Sequence, residues 1–190
     1  MKTRTNKFLA LVVSVAISSL SLQAQSMENT VAVGGEAMYP KKNIVENAVN
    51  SKNHTTLVAA VKAAGLVETL QAKGPFTVFA PVNDAFENLP AGTVETLLKP
   101  ENKASLTKVL TYHVVSGSHD FNAISKMIKE GKGKATMKTV SGGTLTAMMN
   151  GDHNISLKDE GGNVANITIY NVMQSNGVIH VIDSVVLPKM

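Results

Sequence analysis

Residues 176–188 read Asn-Gly-Val-Ile-His-Val-Ile-Asp-Ser-Val-Val-Leu-Pro. This segment is the most informative part of the sequence about the fold. It opens on Asn-Gly, a pair that accepts the positive φ of a tight hairpin turn at little cost. Apolar residues then surround His180 on both sides, which predicts a strand over Val178–Leu187 that is covered on both faces. We therefore expect His180 to be buried, to stay neutral at pH 7 and to hold the strands to the helices.

Four further strand candidates precede this one, because the apolar period changes from about 3.6 residues to 2 after Gly133. They lie at Ala135–Val140, Thr144–Met149, Asn154–Leu157 and Val164–Val172. Gly-Gly and Asn-Gly pairs stand between the candidates as hairpin-turn signals. The Asp159-Glu160 pair falls at one of these turns, where we expect a solvated tip.

The first half of the chain has helical spacing instead. Amphipathic stripes begin at Asn43 and continue to about Leu70, and Leu106, Val109, Leu110 and His113 form a later stripe at i, i+3, i+4 and i+7. Between them, Phe76–Phe79 predicts a short strand that Pro81 ends. The order indicates an α+β fold, with N-terminal helices packed on a C-terminal antiparallel β-wedge.

The N-terminal segment has the pattern of a targeting signal. Lys2, Arg4 and Lys7 precede an apolar run from Phe8, and small and polar residues then lead to Ala24. This order predicts a signal peptide over residues 1–24, with an uncleaved anchor as the alternative. A flexible lead-in over 25–42 and one domain over 43–188 follow. We expect a secreted or periplasmic protein with no transmembrane segment after cleavage.

Charge and composition exclude several classes. The full chain carries 18 basic and 14 acidic residues, but three basic residues lie in the predicted signal peptide, so the mature chain has a net charge of only +1. With few aromatics and no basic stripe, the sequence predicts no nucleic-acid partner. The absence of cysteine excludes disulfides and thiolate chemistry. We expect a monomer.

Three segments resemble the fasciclin domain family in order and spacing: residues 77–86, 110–115 and 176–188. The motif positions that carry the resemblance are Pro81, Asn83, Asp84, Phe86, Tyr112, His113, His180 and Asp183. One departure is Val82, where the family usually has Thr or Ser. The resemblance covers about Asn43 to Pro188. It implies a β-wedge on helices, an extracellular or periplasmic location and a non-enzymatic role in adhesion.

The motif residues also have a structural interpretation. Asn83 and Asp84 carry side-chain oxygens that can cap a following short helix. His113 lies one turn beyond Val109 on the apolar stripe, so it should face the core with hydrogen-bond partners.

No pattern of catalytic or metal-binding residues is present. The five histidines lack the spacing of a metal site, and His180 and Asp183 fall on opposite faces of a strand. There is no Gly-x-Ser-x-Gly elbow and no phosphate-binding glycine loop. We therefore expect no enzyme activity, no metal and no cofactor.

A polar connection after Gly117 is the candidate contact surface. It contains Ser118, His119, Asp120 and Asn122, and exposed loops of this kind often carry binding residues. The expected partner is an extracellular or surface protein or polysaccharide. The alternative is a carrier of an apolar small molecule such as a carotenoid, for which Met148-Met149 could line a groove.

Overall fold

The computed structural model describes residues 29–189, so the predicted signal peptide over residues 1–24 lies outside the described residues. Helices dominate the first half of the described chain and strands the second. Its α-helices are α1 (Ile44–Ala48), α2 (Thr55–Ala64), α3 (Val67–Gln71), α4 (Asn83–Glu87), α5 (Thr93–Leu97), α6 (Lys103–Tyr112) and α7 (Phe121–Glu130). Its strands are β1 (Val31–Val33), β2 (Glu36–Met38), β3 (Phe76–Pro81), β4 (Val114–Ser116), β5 (Lys134–Lys138), β6 (Thr144–Asn150), β7 (Asn154–Lys158), β8 (Val164–Gln174) and β9 (Gly177–Ile182).

Strands β3 to β9 form one sheet in the order β4-β3-β9-β8-β7-β6-β5. The neighbours β3 and β9 are parallel, whereas the other pairs are antiparallel. The chain between β3 and β9 supplies the long crossover that a parallel pair requires. The sheet curls until its two outer strands approach each other, with a bridge between Val115 and Thr139.

Strands β3 and β9 separate two hydrophobic cores. Along β3, Val78 and Ala80 contact the core beneath α1, α2 and α6, while Phe79 contacts the core inside the curled sheet under α7. This alternation follows from the two-residue period of a strand. Every residue of β9 is buried, which explains its continuous apolar sequence.

The predicted capping role of Asn83 is wrong. Its Oδ1 accepts hydrogen bonds from Thr56 N at 3.1 Å and Thr55 Oγ1 at 3.2 Å, and its Nδ2 donates to Lys52 O at 2.9 Å. Asn83 therefore caps α2, a helix that begins 28 residues earlier, while α4 has Val82 at its N-cap with no side-chain cap. Sequence spacing favours local caps and gives no signal for one made across the fold.

The predicted flexible lead-in over residues 25–42 differs from the structure, because β1 and β2 form a hairpin within it. Val33 and Met38 are 1% and 3% exposed and belong to the core under the helices. Three-residue strands are too short to show a clear period, so no sequence pattern predicts them.

The strand predicted over Val178–Leu187 ends at Ile182. Asp183 Oδ1 and Oδ2 instead accept from the backbone and side-chain nitrogens of Asn166, at 2.8 and 2.9 Å. Beyond it, the N–H of Val186 donates to the imidazole of His113 at 3.2 Å. Side chains thus replace strand partners along this final apolar stretch.

Candidate functional site

We define residues 117–122 as the contact loop. It joins β4 to α7 and is fixed to strand β3. Thr77 Oγ1 donates to the carbonyl of Gly117 at 2.7 Å and accepts from the N–H of His119 at 2.9 Å. The His119 imidazole lies over Gly117, where a Cβ would come within 2.8 Å of its Nε2. A side chain at position 117 would therefore displace the His119 ring, and the φ of 97° at Gly117 would itself be strained.

His180 anchors the same loop from β9. Its Nε2–H donates to the carbonyl of His119 at 2.8 Å, and its Nδ1 accepts from the N–H of Asn171 at 3.4 Å. The ring stacks on Phe79, with centroids 5.7 Å apart. Burial lowers the pKa of His180, and the bond to the His119 carbonyl opposes this only in part. The histidine predicted to hold strands to helices is thus placed to hold the contact loop.

The end of the contact loop begins α7. Asp120 is the N-cap, and its Oδ1 accepts from Ala123 N at 2.7 Å. Phe121 N donates to Asn171 Oδ1 at 2.7 Å, and Asn171 has a φ of 56°. The loop therefore has a defined conformation at both ends.

The structure brings the four predicted contact residues together in this one loop. Ser118 and Asn122 are exposed, whereas His119 and Asp120 are half-buried. The first pair is free to meet a partner, while the second pair also fixes the local backbone. Their role in binding stays a prediction.

An open groove of about 430 Å³ adjoins His119 at the place where the two outer strands approach. Its walls come from β4, α7 and β5 with the residue that follows it. They are Val115, Ser116, His119, Met127, Thr136, Met137, Lys138 and Thr139. The groove has a mixed apolar and polar lining, so it can contact both sugar-like and peptide-like groups.

Exposed lysines lie along α7, β5 and the turn between them, and one of them, Lys138, lines the groove. This lysine band consists of Lys126, Lys129, Lys132, Lys134 and Lys138. Glu130 is the one acidic residue between positions 121 and 140. Its ion pair with Lys126, at 3.8 Å, joins two exposed side chains and stabilises little. The band therefore places five basic residues against the one acidic residue of this segment.

His113 lies deep in the structure, away from solvent. It is 2% exposed, its Nδ1–H donates to Val109 O at 2.8 Å and its Nε2 accepts from Val186 N at 3.2 Å. Burial lowers its pKa to about 4, despite the opposing effect of the Val109 carbonyl. His113 therefore connects α6 to the C-terminal segment as a neutral ring.

The solvated tip predicted at the Asp159-Glu160 turn holds for Glu160, which is exposed, and is wrong for Asp159. Asp159 is buried and accepts from the N–H of Leu187 at 3.0 Å, and Glu160 accepts from Thr144 N and Lys189 N. These bonds lower the pKa of Glu160. Turn composition could not show that the C-terminal segment returns to this place.

Tyr112 is fixed beside that turn. Its hydroxyl donates to Thr144 O at 2.6 Å and accepts from Glu160 N at 3.1 Å. Burial raises its pKa to about 12. Among the other motif positions, Pro81 ends β3, Asp84 is exposed and Phe86 is half-buried.

Sequence reasoning missed two buried polar side chains, Asn176 and His54. Asn176 accepts from Ile44 N and donates to the carbonyls of Leu70 and Ala72, so one side chain connects α1 and α3 to the β8–β9 turn. The Asn-Gly pair predicted a turn at Asn176 but not the burial of its side chain. No pattern of apolar residues runs through the turn before α2, so the burial of His54 could not be predicted either.

Two classes of site have no counterpart in residues 29–189. No group of three or more His, Asp or Glu residues in this range could hold a metal ion. None of the helices found there is long and apolar enough to cross a membrane.

The fold and motif positions agree with a comparison to known families. The sequence model of the Fasciclin domain matches residues 52–188, and the chain belongs to the fasciclin family. The alignment with the structure of a FAS1 domain pair from the insect cell adhesion molecule Fasciclin I has a TM-score of 0.70 at 15% identity. It covers 85% of this chain and 58% of that one, and it shows the shared fold.

Two curated relatives extend the comparison. Protein sll1483 of Synechocystis sp. is 45% identical over 170 residues, which is 88% of this chain and 86% of that protein. The cell surface glycolipoprotein MPB83 of Mycobacterium bovis is 32% identical over 170 residues, 87% of this chain and 68% of that protein.

Proposed function

We propose that this protein is an extracytoplasmic adhesion module that binds a surface protein or polysaccharide without chemical change. The observation that carries the proposal is the contact loop, which presents exposed Ser118 and Asn122 beside an open groove. Membership of the fasciclin family and the cell-surface name of the relative MPB83 support it.

The anchoring of the loop favours binding. Thr77, His180 and Asn171 hold its backbone before any partner arrives. A preformed loop loses little conformational entropy on association, so more of the contact energy contributes to affinity. The lysine band adds a preference for partners that carry acidic groups, because it attracts them during encounter.

Retention of the purified mature protein on cell-envelope preparations from its source tests this function. We expect retention that weakens as salt rises, since the lysine band is exposed and therefore screened. Prior treatment of the envelopes with protease or with periodate distinguishes a protein partner from a polysaccharide. Absence of retention on every preparation contradicts the proposal.

The second candidate function is a carrier of an apolar small molecule such as a carotenoid. An apolar cavity of about 100 Å³ beneath the helices agrees with an apolar ligand, but one smaller than a carotenoid. Met148 and Met149, which prompted this alternative, do not line that cavity, and its volume is far below that of a carotenoid. A colourless protein from the native source, with no visible absorption, counts against a carotenoid carrier.

A further inference from the structure

The apolar cavity lies between the N-terminal helices and strands β3 and β9. Its wall is almost entirely carbon, and the side chains that define it include Ile44, Leu57, Val61, Val78, Leu110 and Ile179. Lys62 and Val140 also border it, and both are exposed, so a route to the surface exists. It shares no lining residue with the groove beside the contact loop.

The imidazole of His54 is part of this wall. The residue is 1% exposed, and burial lowers its pKa, so the ring is neutral at pH 7. In residues 29–189, its Nε2 and Ser125 Oγ are the buried side-chain polar atoms without a hydrogen-bond partner. The backbone of Ala80 lies near enough to oppose the pKa shift, but it forms no hydrogen bond of ordinary geometry with Nε2.

The other ring nitrogen of His54 is occupied. Its Nδ1 lies 2.9 Å from Ser51 Oγ, and Ser51 is buried as well. The hairpin covers this pair, since a Cβ at Gly34 would come within 2.5 Å of Ser51 Oγ. The ring orientation is therefore fixed, its Nε2 has no hydrogen-bond partner, and the residue lines the cavity. An unpaired buried nitrogen costs about 1–3 kcal/mol unless something binds it.

We propose that this cavity binds a small hydroxylated molecule with a compact apolar body, whose hydroxyl pairs with Nε2 of His54. Ser51 can either donate to Nδ1 or accept from it, so Nε2 is a donor in one tautomer and an acceptor in the other. A hydroxyl satisfies both states, whereas a carbonyl or an ammonium satisfies only one.

Volume limits the ligand to a short chain or one ring. The cavity, at about 100 Å³, is somewhat smaller than the roughly 150 Å³ engineered cavity that takes up benzene. Part of a single ring can extend toward the rim at Lys62 and Val140. The ligand class is therefore a short-chain or single-ring alcohol or phenol, and this site is independent of the proposed contact surface.

Phenol and toluene are matched probes, because a hydroxyl in one replaces a methyl in the other. Their dissociation constants are measured by calorimetry for wild-type protein, for His54→Leu and for His153→Leu, an exposed control. Loss of one hydrogen bond, about 1 kcal/mol, corresponds to about fivefold in affinity. We expect the phenol-to-toluene preference to fall about fivefold in His54→Leu and to stay unchanged in the control.

Two readouts keep the test decisive if His54→Leu folds poorly. In the wild type, phenol should shift the 15N resonance of His54 Nε2, and toluene should not. Val58→Phe, at a half-buried lining position, should weaken both probes by filling the cavity. The proposal is overturned if neither probe binds, if backbone shifts map away from the cavity, or if the Nε2 resonance responds equally to both.

Discussion

At the residue scale, burial determines the protonation of three histidines. His54, His113 and His180 all have pKa values lowered by desolvation, and each bonds the backbone or a neighbouring side chain. The rings of His113 and His180 connect segments far apart in sequence, such as β9 to the contact loop. We therefore expect these two side chains to support the fold, which leaves partner contact to exposed residues.

The pH dependence of stability should show that burial keeps His113 neutral in the folded chain. The pKa of His113 is about 4 in the folded chain and about 6.5 when unfolded, so the unfolded state binds more protons between these values. The free energy of unfolding should therefore fall as pH drops from about 6.5 to 4, by on the order of 3 kcal/mol from this residue. Urea unfolding across this range measures it.

His113→Gln isolates that contribution, because an amide can donate to Val109 and accept from Val186. The variant should lose much of the slope, while His54 and His180 leave a residual one in the same direction. His153→Gln, at an exposed position, serves as the control. An unchanged slope in His113→Gln contradicts the assignment.

At the element scale, the cap of α2 comes from a distant part of the chain. Asn83→Ala removes the acceptor for Thr56 N, so we expect a loss of about 1 kcal/mol in unfolding free energy. Asp84→Ala is the matched control, because its exposed carboxylate forms no hydrogen bond within the described residues and should change stability by less than about 0.5 kcal/mol. If Asp84→Ala costs more than Asn83→Ala, the cap belongs to α4 after all.

Which elements the sequence could predict follows from their length and burial. The β5–β8 hairpins were predicted because their two-residue period is long and their turns carry Gly and Asn. The parallel pairing of β3 with β9 was not, since nothing local distinguishes a parallel partner from an antiparallel one. The anchoring of the contact loop by Thr77 and His180 was also missed, because it depends on contacts between residues at least 40 positions apart.

At the scale of the whole molecule, we expect the folding unit to begin before the predicted boundary at residue 43. The β1–β2 hairpin places Val33 and Met38 in the core, and Tyr39 bonds Asn47 through both its backbone N–H and C=O. A fragment of residues 43–188 should still unfold cooperatively, but it should be less stable than 29–189 by roughly 2–4 kcal/mol.

Thermal and urea unfolding of the two fragments measure this difference. Met38→Ala in the longer fragment should reproduce a large part of it, because it removes one buried side chain without breaking the hairpin. Equal stability of the two fragments means that the hairpin does not belong to the folding unit.

We expect the contact loop to bind the surface partner, and His113 and His180 to support only the fold. The most direct measurement is envelope binding, alongside the melting temperature, for the double variant Ser118→Glu/Asn122→Glu. Both positions are exposed, and an acidic residue in the first turn of α7 is favourable to the helix. The control is Ala59→Glu/Gln71→Glu, which adds the same charge at exposed positions of α2 and α3.

We expect the loop variant to melt within a few degrees of wild type and to lose at least tenfold in affinity, while the control keeps both properties. His113→Ala should lose on the order of 1–3 kcal/mol of stability, with any loss of binding proportional to it. This assignment is contradicted if the loop variant binds fully and the His113→Ala protein melts like wild type yet no longer binds.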